Sequence, residues 1–323
     1  MVPSFVDESL TRDTASAAES LSVMMEKERA IYTRRDYLGP QPPCGDDDND
    51  IAAKRITADD RLKIVDWCYS VVDACQFDRE TVALTMEMVD RFLSTSSITA
   101  QEALYNRKKY QLVAMSALYI AIKTNEKVSF GSGYFATMSR GAYSAEQIEA
   151  MELAILHGLS WRINAPTSIQ MVHHILSLIL PHLTGIQEST WEFMFTEVHY
   201  QTEHAVRDYY CCLRRPSTIG LAAIFNTVDQ VEKQDRQAIL QALLSVWKEE
   251  GFDSPEDLLA ARNRLLSLTS RDSTAEEDSI SDSSKEVEAM KLRSEGGDFD
   301  DDAKTASSTR TSPRCVADLA YQT

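Results

Sequence analysis

A chain of 323 residues with 43% hydrophobic composition can bury a substantial core, enough for about two domains of 100–150 residues. Only 11 glycines and 9 prolines favour long helices over a turn-rich β architecture. A formal net charge of −17 repels phosphate backbones, and no local basic face offsets it, so a role in reading nucleic acid is not expected.

In chain order, residues 1–17 carry no periodic pattern and are expected to be unstructured. Residues 18–38 place Leu21, Met24, Met25, Glu28, Ile31 and Tyr32 at helical spacing, which predicts an amphipathic helix. Gly39, Pro40, Pro42, Pro43 and the acidic run Asp46–Asp50 then predict a linker, so that 1–50 forms an N-terminal segment. A first helical unit over 51–165 contains predicted helices at 58–75, 79–94, 103–125, 134–139 and 144–157. The third is uncharged and largely apolar from Leu112 to Ile122, about half a membrane span, which reads as a helix buried on every side. Ser144-Ala-Glu-Gln147 is a capping box for the fifth. Five further helices are predicted at 167–180, 188–212, 216–230, 233–249 and 255–270, a second unit over 166–270 punctuated by Pro181, Pro216 and Pro255.

Beyond 270 the composition changes. Residues 271–302 hold twelve acidic residues against four basic ones, a net of −8, and many serines. Such a segment cannot bury a core, and 271–323 is predicted to be a disordered acidic tail. The six cysteines have neither metal-ligand nor disulfide-framework spacing and are expected to be reduced. No signal-peptide layout and no membrane-length segment are seen, and the expected location is nucleus and cytoplasm. The fold class is therefore all-α: two tandem five-helix units after an N-terminal helix, with an acidic tail.

Several stretches, in order, resemble the cyclin box. They are Arg61-Leu-Lys-Ile-Val-Asp66-Trp67, Met88-Val-Asp90-Arg91-Phe92-Leu93, Gln111 through Lys123, and Met151 through Leu156 with Leu159-Ser160-Trp161 to Pro166-Thr167. In the second unit, Arg215-Pro216-Ser217 to Ala222-Ala223 resembles the family's Pro-Ser-x-x-x-x-Ala-Ala helix start. Trp67-Cys68-Tyr69 and Leu84 to Leu93 resemble D-type or other G1-type members more than mitotic ones.

The resemblance implies a non-enzymatic regulatory subunit that binds and activates a cyclin-dependent protein kinase in cell-cycle control. It needs no cofactor or metal, and its other partners would be kinase substrates and a ubiquitin ligase. By the same resemblance Lys123, Glu126, Glu152, Leu156 and Trp161 are the kinase-binding residues, and Arg61 with Asp90 is a structural ion pair. Ile64, Trp67 and Gln111 occupy the family's patch for docking Arg-x-Leu substrate peptides. That mode is not expected to survive here. Asp60 and Lys63 stand where apolar residues belong, and Ser70 stands where an acid belongs. In the tail, Ser312-Pro313-Arg314 fits a proline-directed kinase and marks Ser312 as a phosphosite within a turnover signal.

Four other readings compete. A transcriptional cyclin, or a cyclin-fold adaptor that activates no kinase, would keep the fold and change the partner. A cyclin-fold transcription factor should carry a basic surface and often a zinc ribbon, and the chain has neither a basic face nor a paired CxxC. A metalloenzyme would draw on Glu197, His199, Glu203, His204, His173 and His174. His199 and His204, however, are five residues apart and diverge by about 140° around a helix.

Overall fold

Capping and apolar periodicity locate the helices. The structure is a computed structural model that describes residues 9–39, 55–128, 130–250, 252 and 254–270. The linker acids, the tail after 270 and Ser312 lie outside the described residues. Every regular element among the described residues is helical.

After α1 (Ser9–Ala30) the first group comprises α2 (Ala58–Ala74), α3 (Glu80–Leu93), α4 (Ile98–Leu104), α5 (Arg107–Asn125), α6 (Ser132–Met138) and α7 (Ala145–Gly158). The second comprises α8 (Ser168–Ile179), a 3-10 turn at Leu180–His182, α9 (Glu188–Arg207), α10 (Tyr209–Cys212), α11 (Pro216–Val228), α12 (Lys233–Glu250) and α13 (255–270). The helices up to Leu265 pack as one unit, and the last turn of α13 belongs to a second.

Helix α5 is the axis of the first group. Every residue from Val113 to Ile122 is buried, and α3 and α7 pack on its flanks. Side chains from α2, α3 and α7 close the core around it, among them Val65, Val89, Phe92, Ile148 and Ile155. In the second group α8 and α9 pack on α11, which is buried along its whole length and begins with Pro216 in its first turn. Capping boxes start α2 (Thr57 with Asp60), α7 (Ser144 with Gln147) and α8 (Thr167 with Gln170).

Helices α8 and α11 approach closely at Gly220, where a Cβ would stand 2.8 Å from the Ser168 carbonyl oxygen and 3.1 Å from Val172. Alanine would gain about 1 kcal/mol of helix propensity there. The clash is with backbone, which cannot turn aside, and overpacking of this kind costs about 1–3 kcal/mol. Gly220→Ala is therefore expected to lower stability in urea denaturation. A more stable variant would mean the two helices have room to spare.

Three boundaries differ from the sequence expectation. The N-terminal helix was expected over 18–38, after an unstructured 1–17, and instead spans Ser9–Ala30. It packs on α8 through Leu21 and Met25, and its buried Glu28 accepts the Ser217 N–H at 3.0 Å and the Ser217 hydroxyl, capping α11 from outside. The chain leaves the helix after Ala30 because residues 34–38 find partners on both groups. Arg34 donates to the Cys212 carbonyl, the Arg35 N–H to Ser94 Oγ at 3.1 Å and the Leu38 N–H to the Tyr209 hydroxyl at 3.0 Å. The helix expected over 103–125 starts instead at Arg107, capped by Asn106, and a separate short helix α4, capped by Ser97, precedes it. The helix expected over 188–212 breaks at Asp208, whose carboxylate caps α10 and holds Arg264 of α13. In consequence each five-helix unit carries an extra short helix, α4 or α10.

Candidate functional site

Lys123 closes the last turn of α5, and Glu152 lies in the middle of α7, the helix packed against it. The Lys123 ammonium donates to Glu152 Oε1 at 2.7 Å and lies 4.6 Å from the Tyr119 ring centre. Burial is the largest single influence and works against the Lys123 charge, but the hydrogen bond and charge of Glu152, with Tyr119, together outweigh it and raise the pKa above the ordinary lysine value. The pair borders an open cleft of about 560 Å³ lined by Tyr119, Lys123, Glu149, Glu152, Leu153, Leu156 and Trp161. Leu156 forms its buried apolar part, while Leu153 (50% exposed) and Trp161 (61%) are large apolar side chains left in solvent.

The backbone at the end of α7 is strained where it presents the tryptophan. Ser160 (φ 51°) and Trp161 (φ 60°) both occupy the left-handed region without being glycine. The turn is held by the Trp161 N–H donating to the Leu156 carbonyl at 2.8 Å, and the indole meets the His157 ring edge-on at 5.9 Å.

Four of the five residues assigned to kinase binding thus lie together, and Glu126 does not join them. Its carboxylate accepts the Asp78 N–H at 3.1 Å and the Thr81 hydroxyl, tying the end of α5 to the start of α3. Tyr119, Glu149 and Leu153 were missed by sequence reasoning. Their spacing could have found them: Tyr119 lies one turn before Lys123, and 149, 152, 153 and 156 share one face of α7.

Arg61 and Asp90 occupy a different environment, each about 1% exposed. Arg61 Nε and Nη2 donate to the two Asp90 oxygens at 3.0 and 2.8 Å, and Tyr37 donates to Asp90 Oδ1 at 2.6 Å. The third guanidinium nitrogen, Nη1, reaches out of the first group to the Val206 carbonyl at 2.7 Å, near the C-terminus of α9. Burial opposes the Arg61 charge, but Asp90 overcomes it and lifts the pKa well above the usual guanidinium value. The pair therefore joins three elements: the segment after α1, the first group and the second group. Two other arginines complete this junction. Arg79 pairs with Glu203 at 2.8 Å, Arg207 with Asp66 at 3.0 Å, and both lie 4.4 Å from the Tyr69 ring centre on which they stack.

On α2, Ile64 and Trp67 are half-buried against the core, and the Gln111 side chain accepts from the Tyr143 hydroxyl at 3.1 Å. Asp60 is committed twice, accepting the Thr57 N–H in the capping box of α2 and pairing with Arg107 at 3.0 Å, which holds its carboxyl below the ordinary range. Lys63 pairs with Asp59 in the open.

The histidines do not assemble a metal centre. His173 and His199 stand 5.6 Å apart between ring centres, while Glu203 is bound to Arg79 and Glu197 accepts from Gln201. Among the described residues no three His, Cys, Asp or Glu side chains are grouped to hold a metal, and no helix is long and apolar enough to cross a membrane. The described cysteines 68, 75, 211 and 212 are unpaired thiols.

Comparison with known proteins places this geometry. The family model for the cyclin N-terminal domain matches residues 19–164, from within α1 through the cleft to the end of the first group. A G2/mitotic-specific cyclin of Glycine max is 29% identical over 165 residues, 51% of this chain and 58% of the relative. The G2/mitotic-specific cyclin-B2 of Oryzias latipes is 29% identical over 194 residues, 60% of this chain and 46% of the relative. The chain thus spans about half the length of these curated relatives. Both are mitotic by name. The crystal structure of a viral cyclin from herpesvirus saimiri superposes with a TM-score of 0.50 at 14% identity, covering 66% of this chain and 87% of the viral one, a likeness of fold. Residues 19–164 of this chain thus match the cyclin N-terminal domain, and the chain is similar to mitotic cyclins over 165–194 residues.

Proposed function

We propose that the chain is a regulatory subunit that binds and activates a cyclin-dependent Ser/Thr protein kinase in cell-cycle control, acting in nucleus and cytoplasm without catalytic activity of its own. The observation that carries this reading is the cleft between α5 and α7, where exposed Leu153 and Trp161 adjoin the Lys123–Glu152 pair. A protein kinase becomes competent when its helix C and activation loop are held in place. The cleft offers what such a task requires: apolar area that a partner helix can cover, and a cation and a carboxylate that fix its register by bonding partner backbone. The mitotic names of the relatives favour cell-cycle control.

The test is reconstitution with the kinase that co-purifies from the native source. The purified chain is expected to raise that kinase's phosphotransfer rate. Capture without a rise would leave an adaptor, and a kinase directed at RNA polymerase would move the function to transcription.

Substrate selection is proposed not to rest on the α2 patch. Asp60 is held by Arg107 and by the α2 cap, so it places a fixed charge where an apolar surface would receive a leucine side chain. An Arg-x-Leu peptide is expected to bind no better than its scrambled control. Tight capture that is lost in Trp67→Ala would reverse this view.

A further inference from the structure

Three charged side chains line the α5–α7 cleft: Lys123, Glu149 and Glu152. Lys123 and Glu152 bond each other and cancel. Glu149 is left over. It is exposed, and among the described residues no Lys, Arg or His side chain pairs with it. Its side-chain partner is neutral: the hydroxyl of Ser132, buried at the start of α6, donates to Glu149 Oε1 at 2.6 Å and pins the carboxylate at the cleft. The usual local reasons for an acid on a helix do not cover Glu149. Glu146 sits in the first turn of α7, where the helix dipole favours it, but Glu149 lies a turn further in, beyond that reach. Its neighbours three residues away on either side are Glu146 and Glu152, which repel it, and those four residues away are Ala145 and Leu153. One end of the apolar face of α7 thus keeps an uncompensated negative charge, while Leu156 stands two turns away, roughly 10 Å along the axis.

We infer that Glu149 is a specificity-determining residue of the cleft, selecting a partner kinase that sets a lysine or arginine side chain against this end of α7. The inference rests on the reading of the cleft as the kinase-binding surface and adds the charge that the covering face must bring. An apolar or acidic surface laid over Glu149 would strip water from an unpaired carboxylate and give nothing back. A lysine or arginine there gains a charge-assisted hydrogen bond to a carboxylate already held in place by Ser132. Discrimination follows from the difference, since a kinase without the cation pays the loss and one with it collects the gain. A metal ion is not the cation, because among the described residues no three His, Cys, Asp or Glu side chains are grouped to hold one.

The probe is the purified kinase recovered with the chain, titrated against the full chain by calorimetry. Glu149→Gln keeps an acceptor oxygen for Ser132 and removes the charge alone, so the melting temperature should stay at the wild-type value. Its affinity for the kinase is expected to fall about tenfold, and added salt should weaken its binding less steeply than it weakens wild type. Glu149→Lys should lose about a hundredfold, because it sets like charges face to face. Changing the kinase's surface lysines and arginines to glutamate one at a time should yield one variant that binds Glu149→Lys at least about tenfold better than the unaltered kinase does. A loss in Glu149→Lys that no such reversal relieves would overturn the inference. Trp161→Ala separates it from the reading beneath it. Weakened binding in Trp161→Ala, beside wild-type affinity and salt dependence in Glu149→Gln, would overturn the role of Glu149 and leave the kinase on the cleft. Wild-type affinity in both variants would take the kinase off the cleft, and this inference would fall with it.

Discussion

Replacing Arg61 with alanine is expected to destabilise the protein by about 3–5 kcal/mol, because it leaves Asp90 charged and buried beside the neutral Tyr37 hydroxyl and Cys212 thiol, with no guanidinium to balance it. For a unit of this size each kcal/mol lowers the melting temperature by about 2–4 °C, so the shift should be roughly 6–20 °C. The loss has two parts. Inside the first group Asp90 forfeits both bonds of the guanidinium fork, and at the end of α9 the Val206 carbonyl forfeits its donor. Arg61→Lys separates them, since a lysine keeps the charge but cannot bridge both Asp90 oxygens and Val206 together. It should fall between wild type and alanine. Tyr37→Phe removes one hydrogen bond to a charged group and should cost about 1.5–3 kcal/mol. A shift below about 2 °C for Arg61→Ala would show that the junction is held by the Arg79 and Arg207 pairs instead.

Most of the helices were legible because their signals are local. The Ser144–Gln147 box, Pro216 and the uncharged stretch of α5 each act within one or two turns, and each marks the element found. The failures have a common cause in contacts distant in sequence. Nothing near residue 31 ends the amphipathic pattern there. The helix stops because Arg34, Arg35, Tyr37 and Leu38 bond groups between 53 and 178 positions away. The break at Asp208 likewise depends on Arg264, 56 residues on.

The candidate site divides in the same way. Lys123, Glu152 and Leu156 were legible because helical spacing and family resemblance place them on facing helices, and the same spacing would have added Tyr119, Glu149 and Leu153. Glu126 lies apart from that cleft, and its position at the helix end gave no sign of the Asp78 and Thr81 groups that its carboxylate bonds. The Arg61–Asp90 pair was expected within the first group. Its reach to Val206 was not, since no sequence signal links residues 145 apart.

The decisive expectation concerns Lys123 and Glu152, and it rests on the contrast between two ion pairs in the same group of helices. Arg61 and Asp90 are sealed from water, and breaking them should lower the melting temperature strongly. Lys123 is 39% exposed and Glu152 15%, and an ion pair this open contributes about 0–1 kcal/mol to stability. Lys123→Ala with Glu152→Ala should therefore leave the circular dichroism spectrum unchanged and the melting temperature within a few degrees of wild type. Kinase binding should respond very differently. At a covered interface each lost partner leaves a kinase group buried and unpaired, at a cost of about 2–5 kcal/mol, or roughly 30-fold to several thousand-fold in affinity. Trp161→Ala adds an independent check. The residue is 61% exposed and contributes little to the core, so its removal should leave the fold in place while weakening binding by at least about tenfold if the indole anchors the partner. Wild-type affinity in the folded double variant would move the kinase interface off the α5–α7 cleft. Loss of fold would mean that the open pair carries structure that its exposure does not explain.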